Sequence, residues 1–307
     1  MRQTWLELSM ALLAALLVAA CSAEQRASND AAGGCSAVAE PNAWASWVMP
    51  NPVQGGLPNP ASYTVSASQN ETTDDVTGLV WQRNLGSGEL TWAEARQYCA
   101  CLTIDETSGF RLPSRIELAS IADWTRSAPA LDSNAFPDTP SESFWSSSVL
   151  NGNAQLGFQV DFDSSHTTYS DEAYGYRVRC VRGGASAQAV RYVVESGTVF
   201  DKQTKLTWQQ ASPDESYTWG DATSYCGALS LNGGGWRLPT VGELQTVVDE
   251  ATNPSIDGAT FPGTPSEYFW SSSLVATDPA RAWTCFFANG STYSFFITTE
   301  RNVRCVR

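Results

Sequence analysis

Asp161, Asp163 and His166 fall within six residues of one another in the stretch GFQVDFDSSHTTYSDEAYGY at 157–176. Alternate residues of a strand point the same way. Asp161 and Asp163 therefore suit paired acid–base work or calcium ligation, and solvated charges are the plain reading of the same pair. His166 is the chain's one histidine, which excludes a multi-histidine metal site and argues against a Ser-His-Asp triad. No glycine-rich phosphate loop follows a strand. The formal charge of −14, from 18 basic and 32 acidic side chains, repels phosphate backbones and argues against nucleic-acid binding.

The elements that would hold these residues are written twice. GFRLPSRIEL at 109–118 is answered by GWRLPTVGEL at 235–244, and FPDTPSESFWSSS at 136–148 by FPGTPSEYFWSSS at 261–273. TGLVWQ at 77–82 matches TKLTWQ at 204–209, LTWAEA at 90–95 matches YTWGDA at 217–222, and both copies finish on VRCVR. The chain is two copies of one domain, at 63–182 and 190–307, joined by a short linker at 183–189. Each copy reads as α+β. A strand carries Trp81 or Trp208, and a helix starts near Thr91 or Thr218. A second helix follows RLP, then come strands at FWSSS, at the alternating Phe158, Val160, Phe162 or Trp283, Cys285, Phe287, and at VRCVR.

The repeated phrases read as frame. Ser114-x-x-Glu117 and Thr240-x-x-Glu243 are capping boxes, in which the hydroxyl and the glutamate satisfy free N–H groups at the start of the helix. FWSSS reads as a core aromatic pair opening a strand, its serines meeting local backbone groups.

Ahead of the copies, an apolar run at 10–20 ends in Val18-Ala19-Ala20-Cys21, too short to span a bilayer but suited to secretion. Residues 1–20 read as a lipoprotein signal peptide and Cys21 as the acylated residue, with Ser22 compatible with outer-membrane sorting. Residues 21–62 read as a tether, with Trp44 and Trp47 placed to dock on copy one.

Eight cysteines in an exported chain point to disulfides. Cys99 and Cys226 sit on the first helix of each copy, Cys180 and Cys305 on the last strand. Pairing within each copy would close a loop of about 80 residues, worth on the order of 4–5 kcal/mol in the chain-entropy model. Cys35 and Cys101 are open to pairing between tether and copy one. Cys285 alternates with apolar residues and reads as core.

The ordered set TGLVWQ, LTW-x-x-A, YC, RLP-x-x-x-EL, FWSSS and RCVR resembles the Lcl C-terminal domain family, also called DUF1566. The resemblance implies two tandem C-type-lectin-like domains, each with two helices and a small antiparallel sheet. In that fold a disulfide joins the first helix to the last strand, as Cys99–Cys180 and Cys226–Cys305 would. The Glu-Pro-Asn and Trp-Asn-Asp calcium motifs of lectins are missing from the matching stretches, so calcium-bridged sugar binding does not follow. The same broad fold includes formylglycine-generating, sulfatase-modifying enzymes, which depend on reactive cysteines; here the repeated cysteines read as structural.

The expectation is a non-catalytic envelope lipoprotein that needs no cofactor beyond a candidate calcium ion. Its domains would bind a glycan or a protein through the stretches where the copies diverge. Asp161, Asp163, His166, Tyr169 and Tyr174 are the candidates in copy one, and Arg281, Asn289, Tyr293 and Phe295 in copy two. Tyr and Phe suit sugar faces and protein hot spots alike. An architectural envelope role is the alternative.

Overall fold

The computed structural model describes residues 35, 44–86, 88–184 and 190–307. The signal peptide, Cys21 and most of the linker lie outside the described residues. Copy one runs β1 (Tyr63–Val65), β2 (Glu71–Asp74), β3 (Val80–Gln82), α1 (Trp92–Cys101), α2 (Arg115–Ser120), β4 (Ser143–Leu150), β5 (Asn153–Asp161), β6 (His166–Asp171) and β7 (Val181–Arg182). Copy two runs β8 (Tyr192–Glu195), β9 (Thr198–Asp201), β10 (Thr207–Gln209), α3 (Trp219–Ala228), α4 (Val241–Gln245), β11 (Tyr268–Val275), β12 (Asp278–Phe286) and β13 (Thr292–Phe296). All the sheets are antiparallel: β1-β2-β3-β7 and β4-β5-β6 in copy one, β8-β9-β10 and β11-β12-β13 in copy two.

Thr91 and Thr218 cap α1 and α3, and the capping boxes at Ser114 and Thr240 are both formed. The RLP arginine completes each box, since Arg111 holds Glu117 through two hydrogen bonds of 2.6 and 2.7 Å and Arg237 holds Glu243 at 2.7 and 2.6 Å. Each serine of FWSSS has a backbone partner. The first donates to a carbonyl of the next strand, Ser146 to Phe158 and Ser271 to Trp283. The second, at a break in strand register, donates its N–H to the RLP proline carbonyl at 2.7 Å in both copies. The third accepts the first N–H of the following helix, Ser148 from Arg115 and Ser273 from Val241. The phrase therefore ties the strand to the helix start.

VRCVR is less regular than a full strand. β7 keeps two residues, and copy two keeps single bridges from Val306 to Trp208 and Arg237. The arginine before its central cysteine enters the core. Arg179 is fully buried and donates to the Gln82 and Arg83 carbonyls and to Thr139 Oγ1, over the rings of Phe136 and Phe144. Arg304 makes the same set with Gln209, Gln210 and Thr264, over Phe261 and Phe269. Beside them the disulfides Cys99–Cys180 and Cys226–Cys305 close. Cys35 and Cys101 are also disulfide-bonded, and Cys285 is a buried free thiol.

The segment read as a tether is, from Trp44 onward, part of the fold. Ala45, Trp47 and Met49 are buried in the core of copy one with Ile116 and Leu118. Trp44, expected on copy one, instead lies under the Arg191 guanidinium of copy two, 5.4 Å from its ring centre. Asn51 bonds the copy-two capping box, accepting from Thr240 Oγ1 at 3.2 Å and donating to Glu243 Oε1 at 3.3 Å. Gly242, where copy one has Ile116, makes room: a β-carbon there would stand 3.1 Å from Met49 Cε. The strap thus laces both copies.

The copies also pack directly, α2 on α4 and β6 on β13. At the centre the Thr167 N–H donates to Thr292 Oγ1 at 2.8 Å, joining equivalent residues of the two copies. The halves of the seam differ. On one side Trp124 meets Trp283 edge-on at 5.3 Å beside Val241. On the other the equivalent residues are Glu250, Phe158 and Arg115. There Arg115 is fully buried, bonds Glu250 and Gln245 at 2.7 Å each, and covers the Phe158 ring.

Removing the strap's anchor tests its place in the core. Trp47→Ala is expected to lower unfolding free energy by about 3–5 kcal/mol, read by denaturant titration of the disulfide-bonded protein; a tether would show no change.

Candidate binding site

Because strand residues alternate, β4–β6 and β11–β13 each have two faces: one packs in the core with Phe144 or Phe269, and the other meets a second core cluster at Trp145 or Trp270 and continues past it to partly exposed residues. The core faces agree: Phe158, Val160 and Thr167 correspond to Trp283, Cys285 and Thr292, and all are buried. The opposite faces do not. Copy one carries Ser143, Asp161, Thr168 and Ser170, and copy two carries Tyr268, Phe286, Tyr293 and Phe295 at the same places. These four rings form one cluster. Tyr268 stacks on Phe286 at 4.2 Å and meets Tyr293 and Phe295 edge-on at 5.5 and 4.9 Å. The Arg301 guanidinium lies over Phe295 at 3.9 Å and over Tyr268 at 5.6 Å, a cation–π arrangement that holds the side chain along the face. All four rings are half-buried.

Tyr268 and Arg301 also line a neighbouring groove of about 520 Å³, whose other walls include Asp214, Glu267, Glu300 and Asn302. Flat rings and polar hydrogen-bonding groups therefore share one concave edge of copy two. Arg281 lies nearby on β12, over the ring of the exposed Phe296 at 4.1 Å.

The frame around this surface is the set of repeated phrases, and the model of the Lcl C-terminal domain matches residues 70–182 and again 197–307. The chain belongs to the Lcl C-terminal domain family. No curated protein matches it. Both Lcl domains keep the capping boxes, FWSSS contacts and buried arginine, and their outward sheet faces differ.

The residues singled out in the sequence scatter over this framework. Tyr293 and Phe295 join the aromatic face. His166 opens β6 beside it, near-parallel to Trp283 at 6.2 Å and edge-on to Tyr293 at 5.8 Å, so it belongs to the seam between the Lcl domains. Tyr169 packs edge-on against Phe158 at 5.9 Å, and Tyr174 stands exposed on the turn after β6. Asn289 accepts the Ser291 N–H within the β12–β13 turn. Asp161 and Asp163 do not share a strand face, because β5 ends at Asp161 and Asp163 is an exposed turn residue. The Asp161 carboxylate accepts the Asp163 N–H at 2.7 Å and the Ser143 hydroxyl at 3.1 Å, so it folds its own turn. Among the described residues, no group of three His, Cys, Asp or Glu side chains is placed to hold a metal ion.

Tyr268, Phe286 and Arg301 escaped the sequence reading, which looked to loops. A signal was present: Tyr268 replaces Ser143 in a phrase that otherwise changes only at Asp138, glycine in copy two, and Phe286 replaces Asp161.

Burial holds the His166 imidazole below its ordinary pKa, outweighing the Thr292 backbone hydrogen bond and the Asp161 charge, which both raise it. The native state therefore binds this proton less readily than the unfolded chain. The stability linked to this group is present above the unfolded value near 6.5 and is lost as pH falls through the folded value. His166→Gln is expected to flatten the decline in melting temperature between roughly pH 7 and 5, measured against wild type. An unchanged slope would show that this imidazole carries none of it.

Proposed function

We propose that this protein is an exported, lipid-anchored envelope protein that binds a glycan without turning it over, and that the copy-two sheet face and its groove form the recognition surface. The observation that carries this reading is the junction of the four-ring cluster with a polar groove through two shared residues, Tyr268 and Arg301. Aromatic faces cover the apolar C–H faces of sugar rings, while carboxylates, an amide and a guanidinium meet hydroxyl groups; binding sites typically combine such surfaces. Each Lcl domain is read as a branch of the C-type-lectin-like fold, which agrees with the disulfide between first helix and closing segment. Export rests on the lipoprotein-like signal ahead of Cys21 and on the disulfides.

Binding without turnover is favoured over sulfatase-modifying chemistry by the state of the free thiol. Cys285 is buried and its pKa is pushed up to about 12 by burial, the opposite of what a reactive thiolate requires.

An architectural role has one observation of its own. Val193 and Phe200, direct cross-strand partners on β8 and β9, are both exposed on one sheet face, a small apolar pair suited to protein packing.

A glycan and envelope-extract binding screen on the disulfide-bonded protein, run with calcium and then with chelator, separates these readings. A saturable glycan signal, at least about fivefold weaker in Tyr293→Ala/Phe295→Ala and unchanged by chelator, is expected, since losing two aromatic contacts of about 0.5–1.5 kcal/mol each costs about 1–3 kcal/mol. A co-purifying envelope protein with no glycan signal would move the case to the architectural role. Calcium dependence would return Asp161 and Asp163 to the site.

A further inference from the structure

A second concavity lies in the seam itself. A groove of about 860 Å³ runs between α1 and the β4–β5 hairpin of copy one and the residues following α4 in copy two. Its apolar lining is Trp92, Val149, Leu150 and Ala154 of copy one and Ala251 of copy two; Arg96, whose guanidinium lies over the Trp92 ring at 4.7 Å, and Glu250 also line it. Its volume is in the range of sites that seat small organic groups.

The near-symmetry of the copies indicates what this groove is shaped for. Glu250 occupies the place that Trp124 holds in copy one: the preceding aspartates, Asp123 and Asp249, each donate their N–H to the carbonyl of the residue after a proline, Ala130 and Ser255. Leu150 likewise corresponds to Val275. On the Trp124 side the seam is filled, because the indole crosses to Trp283 and Val275 packs against the cluster they form. On the Glu250 side the carboxylate turns to Arg115, 2.7 Å away, and Leu150 is left facing the groove. The frame is the same, but on this side Arg115 covers the Phe158 ring in the indole's place, and Leu150 is left at the groove wall.

We propose that this groove seats an aromatic side chain of a partner polypeptide, which takes against Leu150 and Ala251 the part that Trp124 takes against Val275. The amides of Asn151 and Asn153 on the hairpin rim are suited to the backbone on either side of such a ring. The groove is continuous with the contact between the Lcl domains and draws walls from both, so it exists only when they are packed together. It is separate from the copy-two face, and the two proposals stand or fall independently.

The Trp92 indole N–H, fixed to the Ser146 carbonyl at 2.7 Å, is a reporter inside the groove. We would label the full chain with 15N-tryptophan and assign this resonance by Trp92→Phe. The titrants would be N-acetyl-L-tryptophanamide, N-acetylglycinamide and a β-linked N-acetylhexosamine trisaccharide. The expected result is a saturable shift with the tryptophan amide alone. The shift should be absent in Glu250→Trp, which copies the filled half of the seam. It should also be absent in Ala154→Trp, which fills the groove from an exposed position that does not touch the Arg115 pair. Three results would overturn the proposal: no saturable shift, a shift that survives in a folded Ala154→Trp protein, or a response to the trisaccharide without one to the aromatic amide.

Discussion

Each domain is arranged around a cation that has left water. Arg179 and Arg304 are completely buried, and their guanidinium groups are met by two carbonyls, one threonine hydroxyl and two phenyl faces. Burying a charge is costly unless it is hydrogen-bonded, and here Nη1 and Nη2 of each arginine find partners while each Nε is left without one. Burial lowers both pKa values to about 9, which still leaves the groups protonated at neutral pH. Meeting that demand brings three distant segments together: the end of β3 or β10, the FP-x-TPSE loop, and the closing RCV segment. The disulfide beside each arginine fastens the same closing segment to α1 or α3. A frame held this firmly at its back can change the outer face of its sheet without losing its shape.

The two copies have used that freedom differently. Facing each other, they keep one contact between equivalents, Thr167 to Thr292, and split the rest into a tryptophan half and an ion-paired half. Facing outward, one presents serines, a threonine and an aspartate, the other four rings and a stacked arginine. The N-terminal strap, with Trp47 and Met49 in the first core and Asn51 on the second cap, makes the pair one body. Duplication has yielded a single asymmetric molecule in place of two independent modules.

Much of the frame was legible in the residues because its signals are local. A hydroxyl three positions before a glutamate marks a helix start whatever lies beyond it, and the repeated placement of Cys99 with Cys180 and of Cys226 with Cys305 marked the pairs. The strap was legible only at Trp47, expected on copy one and found in its core; the rest of its path was not. PNPVQGGLPNP and its neighbours look like a linker because the residues that pack, Ala45, Trp47 and Met49, follow no helical period and depend on a glycine nearly two hundred positions away, Gly242. The seam was invisible for a similar reason: nothing near Arg115 or Trp124 says that its partner is in the other copy. His166 drew attention as a chemical group and proved to be a packing one. The outward face was half seen, since Tyr293 and Phe295 were noticed for their ring type, whereas Tyr268 and Phe286 needed the copies to be compared strand by strand.

On this reading, recognition resides in the outward face of copy two and shape in everything the copies share. The most direct test exchanges one face for the other. Tyr268→Ser, Phe286→Asp, Tyr293→Thr and Phe295→Ser, made together, give copy two the face of copy one. The measurement is saturable glycan binding by this variant beside a check of its cooperative unfolding with both disulfides formed. A folded protein that no longer binds is expected. A folded variant that binds as wild type does would contradict this reading.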